Sequence, residues 1–172
     1  MPATMSALAI LRAATRSNHD AVDAAFASFH LSDSAGYGRF LIAHARALPT
    51  VEAVLAGLAG LPALRPRTLL LHADLSALGL ATPDLLPLPA PADHGSAFGM
   101  AYVIEGSRLG GGLLARQVPA DLPHTYLSAT HLPGEWRAFG KALDAAAGND
   151  DWVTSAVTGA KRVFDLYAQA AE

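Results

Sequence analysis

A chain of 172 residues with 52% apolar and only 16% charged side chains is long enough to bury one core and too poor in charge to stay disordered. It has no cysteine, which excludes disulfides, thiolate nucleophiles and thiolate ligands to zinc or heme iron. A formal charge of −3 with scattered basic residues offers no field for nucleic acid, and no apolar run approaches the roughly 20 residues that span a bilayer. The start, Met1-Pro2-Ala3-Thr4-Met5-Ser6, lacks a charged region followed by an apolar signal core, so the expected location is the cytoplasm, without membrane or nucleic acid as partner.

Apolar residues recur at three and four throughout and nowhere alternate between hairpin turns, so the expected fold is all-α, one domain over 1–172. The first helix, from about Ser6 to Ala27, should turn Leu8, Leu11, Thr15, His19, Val22 and Phe26 inward. Asp33-Ser34 is a cap signal for a second, with the stripe Tyr37, Phe40, His44, Leu48, Val51, Leu55 and Leu58 and a kink expected at Pro49. A third, from about Pro66 to Leu78, presents Leu71, Leu75 and Leu78 and stops at Gly79. Residues Ala81 to Asp93, with Pro83, Pro87, Pro89 and Pro91, form a surface loop. A glycine-rich helix follows from about Gly95 to Val118, then a loop through Pro119, Pro123 and Pro133. Helices from Gly134 to Ala147 and from Asn149 to Ala171 complete the chain.

Two segments carry candidate chemistry. In the first helix His19 has Asp23 at i+4, where a carboxylate can accept the second ring N–H and fix the tautomer, and Arg12 two turns earlier for an anionic group. A histidine on an apolar stripe is either a core residue bonded to a carbonyl or a metal ligand. In the glycine-rich helix Gly106, Gly110, Gly111 and Gly112 each cost about 1 kcal/mol relative to alanine. Gly106 and Gly110 share a face, giving a bare strip about one turn long. Either a planar ligand lies on it or another helix packs there.

The run Leu11-Arg-Ala-Ala-Thr-Arg-Ser-Asn-His19-Asp-Ala-Val-Asp23 resembles the first helix of heme oxygenases, and Tyr102-Val-Ile-Glu-Gly106-Ser-Arg-Leu-Gly110 resembles the distal helix of their bacterial members. Trp136-Arg-Ala-Phe139 and Gly159-Ala-Lys-Arg-Val-Phe164-Asp-Leu-Tyr167 are similar to the family's last two helices. The resemblance implies a multihelical bundle with heme between the first, proximal helix and the glycine-rich distal helix. It implies His19 as the iron ligand, oriented by Asp23, and Gly106, Ser107 and Gly110 as the distal catalytic residues. Arg12, Tyr102, Arg137 and Lys141 would hold the heme carboxylates.

The implied reaction is oxidative cleavage of heme b to biliverdin, carbon monoxide and iron, using dioxygen and electrons from a ferredoxin, flavodoxin or reductase. The product would serve iron acquisition or supply a biliverdin-using photoreceptor. The chain departs from the family at Ser107, where animal enzymes carry an aspartate, and at Arg108, where one bacterial pattern has asparagine; a lone helical arginine is expected to face solvent. Three other readings compete. One is a non-catalytic heme carrier or sensor of the same fold. The second is a di-iron oxidase using Glu52, His44, His72 and Glu105, and the third a purely structural helical protein.

Overall fold

The computed structural model describes residues 5–172 as eight helices: α1 (Ala7–Ala14), α2 (Arg16–Phe26), α3 (Ser34–Leu55), α4 (Thr68–Ala77), α5 (His94–Ala115), α6 (Thr125–Ser128), α7 (Glu135–Ala146) and α8 (Asp150–Ala170). No strand occurs among the described residues, and none of these helices is long and apolar enough to cross a membrane. The expectation about Met1 to Thr4 lies outside them. Four helices start on a side-chain cap: Ser6, Asp33, Asp93 and Asn149 accept from the backbone N–H of Ala9, Gly36, Ser96 and Trp152. Each cap satisfies a donor that a helix start leaves orphaned. Gly79, at φ 70°, closes α4 in the left-handed conformation, as its position predicts.

Three sequence expectations change: the continuity of the first helix, the reach of the second stripe to Leu58, and the absence of helix between Pro119 and Pro133. The first helix is not continuous: Thr15 sits at φ −109°, ψ 6° between α1 and α2. Its hydroxyl donates to the Leu11 carbonyl at 2.8 Å while its own N–H donates to the same oxygen at 3.0 Å, the local back-bonding that bends helices. Pro49 lies inside α3, which runs on to Leu55 without interruption. Leu58 falls beyond that end, 38% exposed, and is not part of the stripe. Inside the expected loop from Pro119 to Pro133, the chain makes the extra short turn α6, whose N-terminal residues are held by Asp74: its carboxylate accepts from Thr125 N, Thr125 Oγ1 and Tyr126 N.

The core runs between α3, α4, α5 and α8 through Leu41, Leu48, Leu71, Leu75, Met100 and Val163, all with no exposed surface. At its centre α5 and α8 meet backbone to backbone. A Cβ at Gly99 would run into the Ala156 carbonyl, one at Gly95 into the Trp152 carbonyl, and one at Gly159 into the Ser96 carbonyl. The proline-rich segment is tied across α3, Leu86 N–H donating to the Arg46 carbonyl at 2.8 Å and Thr50 Oγ1 to the Leu86 carbonyl at 2.9 Å.

Gly99→Ala tests the crossing. The substitution improves helix propensity by about 1 kcal/mol, yet overpacking against a carbonyl costs typically 1–3 kcal/mol or more. The expected outcome is net destabilisation of about 2 kcal/mol in urea unfolding.

Candidate functional site

The glycines of α5 separate into two uses. Gly111 and Gly112 are contact glycines: an added Cβ would stand 2.8 Å from the Leu127 carbonyl and 2.9 Å from Thr130 Cγ2. Gly106 and Gly110 are different. At Gly110 no heavy atom of another segment lies within 4 Å of that position, and at Gly106 only the Trp136 ring edge does, at 3.8 Å. The strip that sequence spacing picks out is therefore open at Gly110 and edged at Gly106 by one ring of α7. Tyr102, one turn before Gly106, is half-buried, and burial raises its phenol against the opposing effects of a hydrogen bond shared with Thr15 and the nearby charge of Arg12.

That contact joins α5 to the break between α1 and α2. One turn beyond Thr15 stands His19, with Nδ1 3.4 Å from Asp23 Oδ2 and 3.7 Å from Asp20 Oδ1. His19 does not point into the core as the stripe predicts; its side chain is 59% exposed, beside the ring of Phe164 in α8 at 6.1 Å. The cause is the break at Thr15, after which α2 lies along the flank of α8 and has no fully buried residue. Arg12 on α1 and Arg137 and Lys141 on α7 are exposed, on two helices that pack together where a Cβ at Gly140 would meet Leu8 Cδ2 at 3.0 Å. Among the site residues named from sequence, the structure pairs His19 with Asp23, places Arg12 near enough to Tyr102 for its charge to act on the phenol, and sets Gly106 and Gly110 on one face.

Behind the strip lies a polar layer that the sequence did not reveal. Arg67, 3% exposed, donates to the Ile104 carbonyl at 2.7 Å and to Ser107 Oγ at 2.9 Å, and stands over the Tyr126 ring at 5.3 Å. Ser107 in turn donates to the Ile104 carbonyl at 2.7 Å. Tyr126 Oη is 2.6 Å from His44 Nδ1, and His44 is surrounded by the rings of Phe26, Phe40, Tyr126 and Tyr167. Burial, and then the Arg67 charge, lowers His44 to about 3, so the ring is neutral. Nothing in the spacing around Arg67, which sits between Pro66 and the start of α4, marks it as an inward cation.

Arg108 also overturns its expectation. Far from facing solvent it is 1% exposed, donating through Nη1 to the Ala129 carbonyl at 2.8 Å and through Nη2 to the Arg65 carbonyl, with Glu105 Oε1 3.5 Å away. Three of the four residues weighed for a di-iron centre go to separate partners, and the fourth, His72, bonds to none of them. Glu52 takes the backbone N–H of Arg67 and Thr68, Glu105 takes His131 at 3.1 Å, and His44 takes Tyr126.

No protein-family model matches the chain. Over 106 residues it is 33% identical to a heme oxygenase of Xanthomonas campestris pv. campestris, a match spanning 58% of this chain and 64% of that relative. In three dimensions it is similar to the heme oxygenase of Neisseria meningitidis, solved with NO and CO bound, at a TM-score of 0.82 and 24% identity over 98% of this chain and 91% of that one. It is also similar to the heme oxygenase of Leptospira interrogans, at a TM-score of 0.74 and 21% identity over 97% and 98%. The chain has the all-helical heme oxygenase fold, and that likeness in fold extends over 97–98% of its length.

Two outcomes follow from the geometry. Without ligand, Gly110→Ala should raise the melting temperature, since it gains about 1 kcal/mol of helix propensity and meets nothing, whereas Gly111→Ala should lower it. The opposite order in thermal melts would mean that protein packs on the strip. The second concerns acid. A ring held neutral when folded but free to protonate when unfolded makes the unfolded state bind more protons below pH 6.5. Stability is then lost as pH falls from 6.5 towards about 3. Urea unfolding should show a loss of about 2 kcal/mol at pH 5 relative to pH 7 from this group, absent in His44→Phe.

Proposed function

We propose that the chain is a heme oxygenase that cleaves heme b to biliverdin, carbon monoxide and iron, working in the cytoplasm with a ferredoxin, flavodoxin or reductase as electron donor. The observation that carries this reading is the bare Gly106–Gly110 strip, a cradle that even one Cβ would begin to fill. A flat macrocycle needs such a surface. It also needs an accessible imidazole, and His19 supplies one with a carboxylate already beside its Nδ1.

Each side chain then has a definite task. Asp23 accepts the Nδ1 proton of His19, which leaves Nε2 unprotonated for iron and keeps the ring in one orientation. Heme, as substrate, brings both the iron at which dioxygen is reduced and the porphyrin edge that is oxidised; a neutral imidazole, donating less than a thiolate, favours oxygen transfer to that edge. Gly106 and Gly110 let the helix backbone lie close to the macrocycle and keep bulk water out. Arg12, Tyr102, Arg137 and Lys141 meet the heme carboxylates, the cations by charge-assisted hydrogen bonds. Ser107, tied to Arg67, belongs to the polar layer that holds ordered water and protons near the strip, the role that an aspartate has in the animal enzymes. The carrier reading explains His19 as well, but a carrier has no need of a bare backbone over the reacting edge.

Titration with hemin should give one bound equivalent, and addition of reductant under dioxygen should replace the Soret band with the absorption of a green-to-blue linear tetrapyrrole. A Soret band that persists through turnover conditions supports a carrier instead. His19→Ala should abolish conversion and change the ferric spectrum, with added imidazole restoring the spectrum, while His44→Ala keeps iron ligation and loses stability alone. The reverse pattern would move the iron to His44.

A further inference from the structure

The wall beside the glycine strip is a single side chain, and the structure holds it in an unusual way. Trp136, the second residue of α7, approaches the position of a Gly106 Cβ at 3.8 Å and lies 6.3 Å from the Tyr102 ring. It stacks on Phe139 at 5.7 Å with planes 12° apart, and its ring lies tilted by 37° against His131 at 5.6 Å. His131 is fixed in turn: its Nε2 meets Glu105 Oε2 at 3.1 Å, and the two side chains are only 8% and 7% exposed.

The segment leading into Trp136 is held at nearly every residue. Arg108 takes the Ala129 carbonyl, and Arg65 takes the Thr130 carbonyl at 2.9 Å. Glu105 takes His131, and the Leu132 N–H donates to Glu135 Oε2 at 2.9 Å. Glu135 itself receives both Nε and Nη2 of Arg65 at 2.7 Å, and these bonds hold its carboxyl down at about 2. Glu105 and Arg108 flank Gly106 in sequence, so the residues that fix the wall belong to the same helix turn as the strip. Two flat surfaces, backbone below and indole beside, are thereby locked to one another.

We infer that Trp136, positioned by the buried Arg108–Glu105–His131 cluster, fixes the in-plane seating of the macrocycle on the strip and so selects which edge is oxidised. The inference rests on the reading of heme as the substrate. Carboxylate contacts at Arg12, Tyr102, Arg137 and Lys141 hold one rim of the ligand, but flexible exposed cations restrain rotation weakly. A rigid indole standing at the edge of the ring restrains it by shape. The cluster does not touch the ligand; its members are positioning residues acting through Trp136.

The test uses the full chain loaded with hemin and leaves Arg108 and Glu105 intact, so that the buried carboxylate keeps the guanidinium beside it in every variant. Seating is read without turnover from the heme-methyl proton shifts of the cyanide-bound ferric complex, and with turnover from the biliverdin isomers separated by chromatography. Trp136→Ala and His131→Leu should each change the ratio of seating forms, and of isomers, by about fivefold, the ratio that about 1 kcal/mol of lost aromatic contact produces. His131→Gln, which keeps a donor for Glu105, should restore much of the parent ratio. If Trp136→Ala loses its helical circular dichroism, Trp136→Phe poses the same question and should shift the ratio in the same direction by less. Unchanged methyl shifts and isomers in the Trp136 variants overturn the inference, and a shift in them without one in His131→Leu overturns the part assigned to the cluster. Failure of the unmutated chain to bind and convert hemin overturns the functional reading instead, and is seen before any variant is made.

Discussion

Backbone rests on backbone where α5 crosses α8, and the rest of the site hangs from that crossing. Gly99 over the Ala156 carbonyl and Gly159 over the Ser96 carbonyl bring the two axes closer than any Cβ allows, so one face of α5 is fully spent on α8. The other faces are then free for different work. One carries Ile104 and Arg108 back toward α4 and α6, and the next carries Gly106 and Gly110 outward. A helix weakened by glycine holds its shape because its neighbours, more than its own propensity, define it.

Glycine serves opposite ends within six residues of that helix. At Gly111 the missing Cβ makes room for the chain's own Leu127 carbonyl, whereas at Gly110 it leaves open space. Composition cannot tell these apart. Only the position of α6, a four-residue turn capped by Asp74 from the far side of the core, does so.

The polar layer behind the strip shows how buried cations are afforded in an apolar interior. Arg67 donates to the Ile104 carbonyl inside α5 and to Ser107, and Arg108 donates to the Ala129 and Arg65 carbonyls, which lie outside regular helix. The Ala129 and Arg65 carbonyls have no place in a helical ladder, so the Arg108 fork satisfies oxygens that regular structure does not. Placing charge there links α5 rigidly to the connector before α4 and to the segment before α7, the parts of the molecule with least regular structure of their own.

Local patterns were enough for much of this protein. Three- and four-residue periodicity gave six helix locations, Asp33 and Asn149 marked starts because their side-chain oxygens cap locally, and Gly79 marked a stop because it adopts a positive φ there. The pairing of His19 with Asp23 and the shared face of Gly106 and Gly110 follow from helix geometry and need no fold. What tertiary structure decided depends on distant segments: the bend at Thr15, which turns His19 out of the core, the inward direction of Arg108, and the contact of Trp136 with the strip. Periodicity assumes one straight axis and one partner per face, and each of these residues is governed by a carbonyl, a carboxylate or a ring brought in from elsewhere in the chain.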